Sequence, residues 1–403
     1  KSSDNSHLPE SFFVSKNMKE KKDLTHKIPD AIIEPNSYSD ENNLDSRFEA
    51  SLSSILKRPD LSVSSFPIET NKIVQLKEEL VNYFISVASD LGTFDLAKGH
   101  IDRLFSKLFA DGAKSKKDFL MGGAQEFYKI SKLVLGPLWT GYVDKVFSEG
   151  DENGVYLFAA RDATPIFWAA EGMLTPSYKN KYPISNSERI LVDWNRWFMG
   201  QEDETDDGRK PLPFDHPFMK SFYKQMGFSN GQTVKIVEPG AWGSAANALK
   251  NVMPDQKFEL WFMFSHMPEY IYGFLNDKAA GIEDKYYELI NDTAEAVPKP
   301  YLRPEKLIMH ENSVVADLNG QIIDSPFMKV WSWAVNQGAY DAGVEFTQGK
   351  RTDIKSHVEN IIKLSEMSKQ GIWTGVLPRN TMTWTEGENW KKNWKWGKIP
   401  PLK

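Results

Sequence analysis

Two short segments of this 403-residue chain carry residue types that can do chemistry beside a ligand. The first is Arg161-Asp162, directly after the apolar run from Val155 to Ala160. A guanidinium presents a planar fork of donors that matches phosphate, and a neighbouring carboxylate can orient a hydroxyl or a metal ion. The same two residues also suit an ion pair that caps the next helix, with Asp162 near its N-terminus. Spacing alone leaves both readings open.

The second segment is Glu238-Pro239-Gly240-Ala241-Trp242-Gly243-Ser244. Two glycines and a hydroxyl lie between an apolar run and a helical pattern. Backbone N–H groups in such a loop can cradle an anion at a helix N-terminus, and Ser244 can add a hydrogen bond. The Gly-Lys-Ser/Thr ending of a Walker loop is absent, and so is GxGxxG. A tight strand-to-helix turn with Ser244 as an ordinary cap is the alternative.

Other clusters say less. Asp193-Trp194-Asn195-Arg196-Trp197 offers an amide and a cation among aromatics, or equally an interfacial packing cluster. His310-Glu311 reads as a structural pair. Glu202-Asp203-Glu204 with Asp206-Asp207 lacks EF-hand spacing and reads as a solvated loop. No set of residues is assigned to a metal. Near the end, Trp373, Trp384, Trp390, Trp394 and Trp396 interleave with Lys391, Lys392, Lys395 and Lys398. Such a tail can stack on bases or sugars, or clamp its indoles on the body with its lysines in water.

The elements that must position these loops are legible from periodicity. Val155–Ala160 suits a strand buried on both faces. Thr164-Pro165 opens a helix through Ile166, Phe167, Ala170 and Met173, with proline at a favourable first-turn position. Arg189–Trp194, Thr233–Val237 and Phe258–Phe264 read as further strands, and Ala245–Val252 as a helix. Repeated strand–loop–helix units imply an α/β fold with a mostly parallel sheet flanked by helices. In such sheets ligands sit outside the carboxyl ends of the strands, where both loops lie.

Before this α/β core, expected over 151–345, residues 66–150 form a helical lead-in. Val74, Leu76, Leu80, Phe84 and Val87 make one stripe, and Ile101, Leu104, Phe105 and Leu108 another. Lys117 to Leu133 leads into Leu135-Gly136-Pro137, after which Tyr142, Val143 and Val146 suggest one more helix. Residues 1–65 are polar without a sustained period and read as an arm that is disordered or wraps the body. Residues 346–403 comprise a helix and the Trp/Lys-rich tail.

Composition narrows the function classes. A chain 40% hydrophobic with 24 Phe, 14 Tyr and 13 Trp can build a domain of roughly 250–300 residues with a substantial core, plus a polar extension or small second unit. The formal net charge of -6 supplies no global field for nucleic acid or an anionic membrane. With no cysteine, disulfides, thiolate catalysis and Cys-ligated zinc are excluded. A reducing, cytoplasmic setting fits. Apolar stretches stay well under the roughly 20 residues that a membrane span needs. The chain opens KSSDNSHLPESF, with neither an initiator Met nor an apolar leader, a pattern that fits a start lying upstream or removed.

At VYLFAARDATPIFWAA the sequence resembles the C-terminal module of haloacid-dehalogenase-like proteins associated with bacterial surface-glycan biosynthesis. That module has an aromatic–Leu–Ala–Arg–Asp–Gly stretch after a Gly-Pro-containing helix, here LGPLWTGYVDKVF. The strand end VDWNRW and the loop VEPGAWGSAANAL also resemble it, so the similarity spans Leu133 to Gly343. Carried over residue by residue, the matching positions are Arg161, Asp162, Arg196, Gly243 and Ser244. Ala163 replaces the module's glycine and Glu238 stands for an aspartate. No DxDx[TV] nucleophile segment is present, so phosphatase chemistry of the dehalogenase type is not supported.

The order of loops is also similar, at the level of fold, to phosphoribosyltransferases, whose later loop normally holds two adjacent acidic residues. The resemblance implies a phosphate- or nucleotide-sugar-binding transferase acting on a small phosphorylated or nucleotide ligand, with Mg²⁺ as the cofactor that such chemistry admits. Arg161, Asp162 and Glu238 would be catalytic. Asn195, Arg196, Gly240, Trp242, Gly243 and Ser244 would bind substrate. The alternative is a non-catalytic assembly protein that uses its N-terminal arm and Trp/Lys tail on a protein partner. A glycan-directed hydrolase would need two carboxylates brought together, and no pairing is visible in the sequence.

Overall fold

The computed structural model describes residues 44–87, 93–149, 154–159, 162–181, 188–192, 221–222, 232–239, 253–265, 272–275, 297–298, 307–310, 313–316 and 325–369. Helices dominate these residues, and a small parallel sheet accompanies them.

The helical part begins inside the expected arm. Leu44–Ile55 forms α1, and a short 3-10 turn follows at Pro59–Leu61. α1 lays Phe48, Leu52 and Ile55 into the core, so three apolar residues at i, i+4 and i+7 anchor it despite its polar surroundings. The two expected helices form as α2 (Thr70–Val87) and α3 (Thr93–Ala110), and they pack on each other. Ile101, Leu104, Phe105 and Leu108 are all buried. On α2 the stripe is Ile73, Leu76 and Leu80, whereas Val74 is 46% exposed. The expected Val74 phase was off by one residue, because position 73 lies on the buried line three residues before Leu76.

α4 (Lys116–Lys129) starts on a capping box, in which Ser115 Oγ accepts from Asp118 N and Asp118 accepts from Ser115 N at 2.8 Å. The chain then passes through a π-helical stretch, Ile130–Leu135, into α5 (Gly136–Ser148). Pro137 has no N–H to offer the carbonyl one turn back, and a widened turn absorbs that defect without ending the helix. The Gly-Pro pair is therefore a joint within an unbroken run of helical residues, not a loop.

After α5 come β1 (Val155–Ala159), α6 (Thr164–Met173), α7 (Pro176–Lys181), β2 (Glu188–Val192), β3 (Thr233–Glu238), β4 (Lys257–Phe262) and the two-residue β5 (Tyr272–Gly273). They form one parallel sheet in the order β2-β1-β3-β4-β5. β1 is buried along its whole length, as a strand covered on both faces must be. β6 (Leu307–His310) and β7 (Ser313–Ala316) make a separate antiparallel pair.

The centre of the molecule is a helix that periodicity did not mark, α8 (Pro326–Thr347). It is buried almost all round, so it has no polar face to reveal a 3.6-residue period. It packs along α4, α5 and α6. Its approach to α6 is at backbone distance: a Cβ on Gly343 would meet Ala169 O at 2.2 Å, and one on Gly172 would meet Tyr340 O at 2.1 Å. Only glycine at both positions lets α6 come this close. Trp331 fills the other side and donates its indole N–H to Leu120 O at 2.9 Å. α9 (Ile354–Lys369) closes the helical layer, with His357 Nε2 2.7 Å from the Val134 carbonyl of the π-helical stretch.

Candidate functional site

The sheet order makes β1 a point of reversal. The chain leaves β1 through α6 and α7 to reach β2 on one side, and later returns to β3 on the other. At such a switch point the loops beyond the two strands diverge to opposite sides and leave a crevice at the carboxyl ends. The β1–β3 register pairs Val155 with Val234 and Phe158 with Val237. Ala159 and Glu238 are the next residues on their strands, and Asp162 follows three positions beyond Ala159. Both sequence-predicted carboxylates thus lie at the carboxyl ends of two neighbouring strands.

Asp162 acts on Glu238. Glu238 is partly buried, and loss of water raises its carboxyl to a pKa of about 8, with the negative charge of Asp162 as the second cause. Asp162 sits one residue ahead of the α6 cap position, which is Ala163. Alanine has no side-chain oxygen and makes no cap hydrogen bond. The helix dipole therefore presents its positive end beside Asp162, where a negative charge is favoured. At neutral pH the arrangement holds an acid, Glu238, beside a carboxylate, Asp162. One can give a proton while the other accepts a hydrogen bond.

The backbone under Glu238 is fixed from the β4 side. Its carbonyl accepts from Met263 N at 3.1 Å, and the Tyr142 hydroxyl lies 3.4 Å away while donating to the Trp261 carbonyl. Pro239 O accepts from Phe264 N at 3.4 Å, so the hold continues one residue into the loop. Tyr142 comes from α5 and is fully buried. Its role was not visible in the sequence, where it counted only as one apolar position of a helix.

Of the predicted site residues, Asp162 and Glu238 are those the fold brings together. Arg161, Asn195, Arg196, Gly240, Trp242, Gly243 and Ser244 lie outside the described residues. So do Ala245–Val252, the acidic run from Glu202, Glu311 and the Trp/Lys tail from Trp373. Among the described residues, no three His, Cys, Asp or Glu side chains gather in a metal-holding group.

A second polar cluster, away from the sheet, was missed altogether. Tyr128 donates to Asp341 Oδ2 at 2.8 Å and Gln337 Nε2 donates to Asp341 Oδ1 at 3.0 Å. Lys132, almost fully buried, reaches Asp45 at 2.9 Å and Glu345 at 3.3 Å. Burial pushes Asp341 up to about 6 even though these donors and the nearby cations pull it down. Phe48 stacks on Tyr128 at 3.9 Å and on Trp333 at 5.3 Å between ring centroids. This cluster ties α1 to α4 and α8, and its signal in sequence was only the odd polar residues within an apolar stretch.

No family model matches the chain, and no curated protein matches it in sequence. No described helix is long and apolar enough to cross a membrane.

Proposed function

We propose that the chain is an enzyme that handles a phosphate-bearing sugar or nucleotide ligand, a transferase of the phosphoribosyltransferase type. The observation that carries the reading is the Asp162–Glu238 pair at the β1–β3 switch point, one member holding its proton at neutral pH. The ligand enters as a sugar diphosphate ester with its Mg²⁺ as part of the substrate. The acceptor hydroxyl attacks the anomeric carbon and passes its proton to Asp162. The bond from that carbon to the diphosphate oxygen breaks with its electron pair, and Glu238 gives its proton to the departing oxygen. The proton then returns from Asp162 to Glu238, which resets the pair. Arg161 and Arg196 are the cations assigned to the diphosphate, and Gly240, Gly243 and Ser244 the loop that cradles it.

The test is binding of Mg²⁺-diphosphate and of phosphoribosyl diphosphate, followed by thermal shift. Arg161→Ala and Ser244→Ala each weaken binding while the fold persists. Unchanged binding in a folded double variant removes the reading.

The same pair favours a second reading, hydrolysis of a glycosidic bond, because an acid and a carboxylate flanking the scissile bond are what that reaction needs. Water then takes the place of the acceptor hydroxyl. Turnover of a chromogenic glycoside without diphosphate binding selects this reading over the transferase.

A further inference from the structure

We propose that Tyr142 is the positioning residue of the site: its hydroxyl fixes the carboxyl ends of β3 and β4, and thereby the place from which Glu238 acts. The inference rests on the reading of Glu238 as a site carboxyl. It adds a residue from outside the two loops, on a helix that precedes the sheet.

The geometry is specific. At the carboxyl end of the β3–β4 ladder, Val237 pairs with Trp261 and Glu238 with Phe262. A side-chain hydroxyl enters here and donates to the Trp261 carbonyl, while the Glu238 carbonyl already accepts from Met263 N at 3.1 Å. Tyr142 gives its one proton to Trp261 O and stays 3.4 Å from Glu238 O, so a single oxygen contacts both strands. The hydroxyl is sealed from water, since Tyr142 has no exposed surface, and its ring lies 5.9 Å from Phe274 just beyond β5. A buried carbonyl that loses such a donor must find another or open to solvent. The carbonyl at stake is that of Trp261, and if it opens to solvent the end of β4, against which Glu238 is paired, loosens with it. The Glu238 carbonyl itself is held by Met263 N, the residue that follows the end of β4.

The experiment compares Tyr142→Phe, which keeps the ring, with Phe274→Leu, which loosens packing around the ring and keeps the hydroxyl. The readout is the ¹³C shift of the Glu238 carboxyl against pH in protein labelled at glutamate, with binding of Mg²⁺-diphosphate measured beside it. Tyr142→Phe is expected to let water reach the carboxyl, to lower its midpoint by about one pH unit or more and to weaken diphosphate binding; Phe274→Leu leaves the midpoint near that of wild type. A midpoint unmoved in Tyr142→Phe, or moved equally in both variants, overturns the positioning role. If wild type itself does not bind diphosphate while the midpoint still moves in Tyr142→Phe alone, the transferase reading falls and the positioning role stands. Should Tyr142→Phe fail to fold, 3-fluorotyrosine at 142 alters the donor strength with ring and hydroxyl kept. An unmoved midpoint there overturns the inference as well.

Discussion

Glu238, the last residue of β3, keeps its proton to a pKa of about 8 because it has lost water and because Asp162, just beyond β1, faces it with a negative charge. Two residues 76 positions apart in sequence thereby become one chemical unit. The relationship exists only because β1 and β3 are neighbours in the sheet.

The first prediction follows from that raised value. Folding is favoured by the Glu238 proton most fully below about pH 4.5, the ordinary value. The contribution declines as pH rises through about 8. Glu238→Gln removes the titration. Urea unfolding at pH 9 should show the variant more stable than wild type by about 1–2 kcal/mol, with the difference shrinking toward pH 5. Equal slopes of stability against pH in the two proteins would show that the carboxyl does not titrate there.

A second prediction concerns the cluster under α1. Asp341, raised to about 6 by burial, also favours folding most at low pH, and that contribution is lost as pH rises through about 6. Above that point the ionised group depends on the Tyr128 and Gln337 donors. Tyr128→Phe should destabilise by about 1.5–3 kcal/mol at pH 7, the range of a hydrogen bond to a charged group, and by less at pH 5. Chemical denaturation at the two pH values measures both.

The hold on α1 can be separated from that charge effect. Phe48→Ala removes a ring stacked on Tyr128 and on Trp333, and should cost about 3–5 kcal/mol with little dependence on pH or salt. Hydrogen exchange should show the amides of residues 44–55 losing protection ahead of α8.

Gly343→Ala tests the α6–α8 crossing. With Ala169 O at 2.2 Å from the new Cβ, the helices must separate, and the expected loss is about 3 kcal/mol or more. Because α6 begins beside Asp162, the ¹³C midpoint of Glu238 should shift in whatever fraction folds. Gly349→Ala makes the comparison: it has open space around it and only a positive φ of 94° to strain.

The local elements that carry the site are written in short stretches of sequence. The apolar run of β1, the alternation-free β3, the aromatic β4 and the proline-started α6 each announce themselves through composition over five to ten residues, and each formed within a residue or two of its expected bounds. Asp162 and Glu238 could be singled out for the same reason, since a strand end is a local property. The tertiary structure alone decided that they meet, because strand order is a choice among pairings that no local pattern encodes. It also decided the central place of α8: a helix buried on every side shows no periodicity. Tyr142 is the sharpest case. In sequence it is one more apolar position on a helix. Only the packing of α5 against the ends of β3 and β4 gives its hydroxyl a partner, and a hydrogen bond between distant segments leaves no trace in spacing.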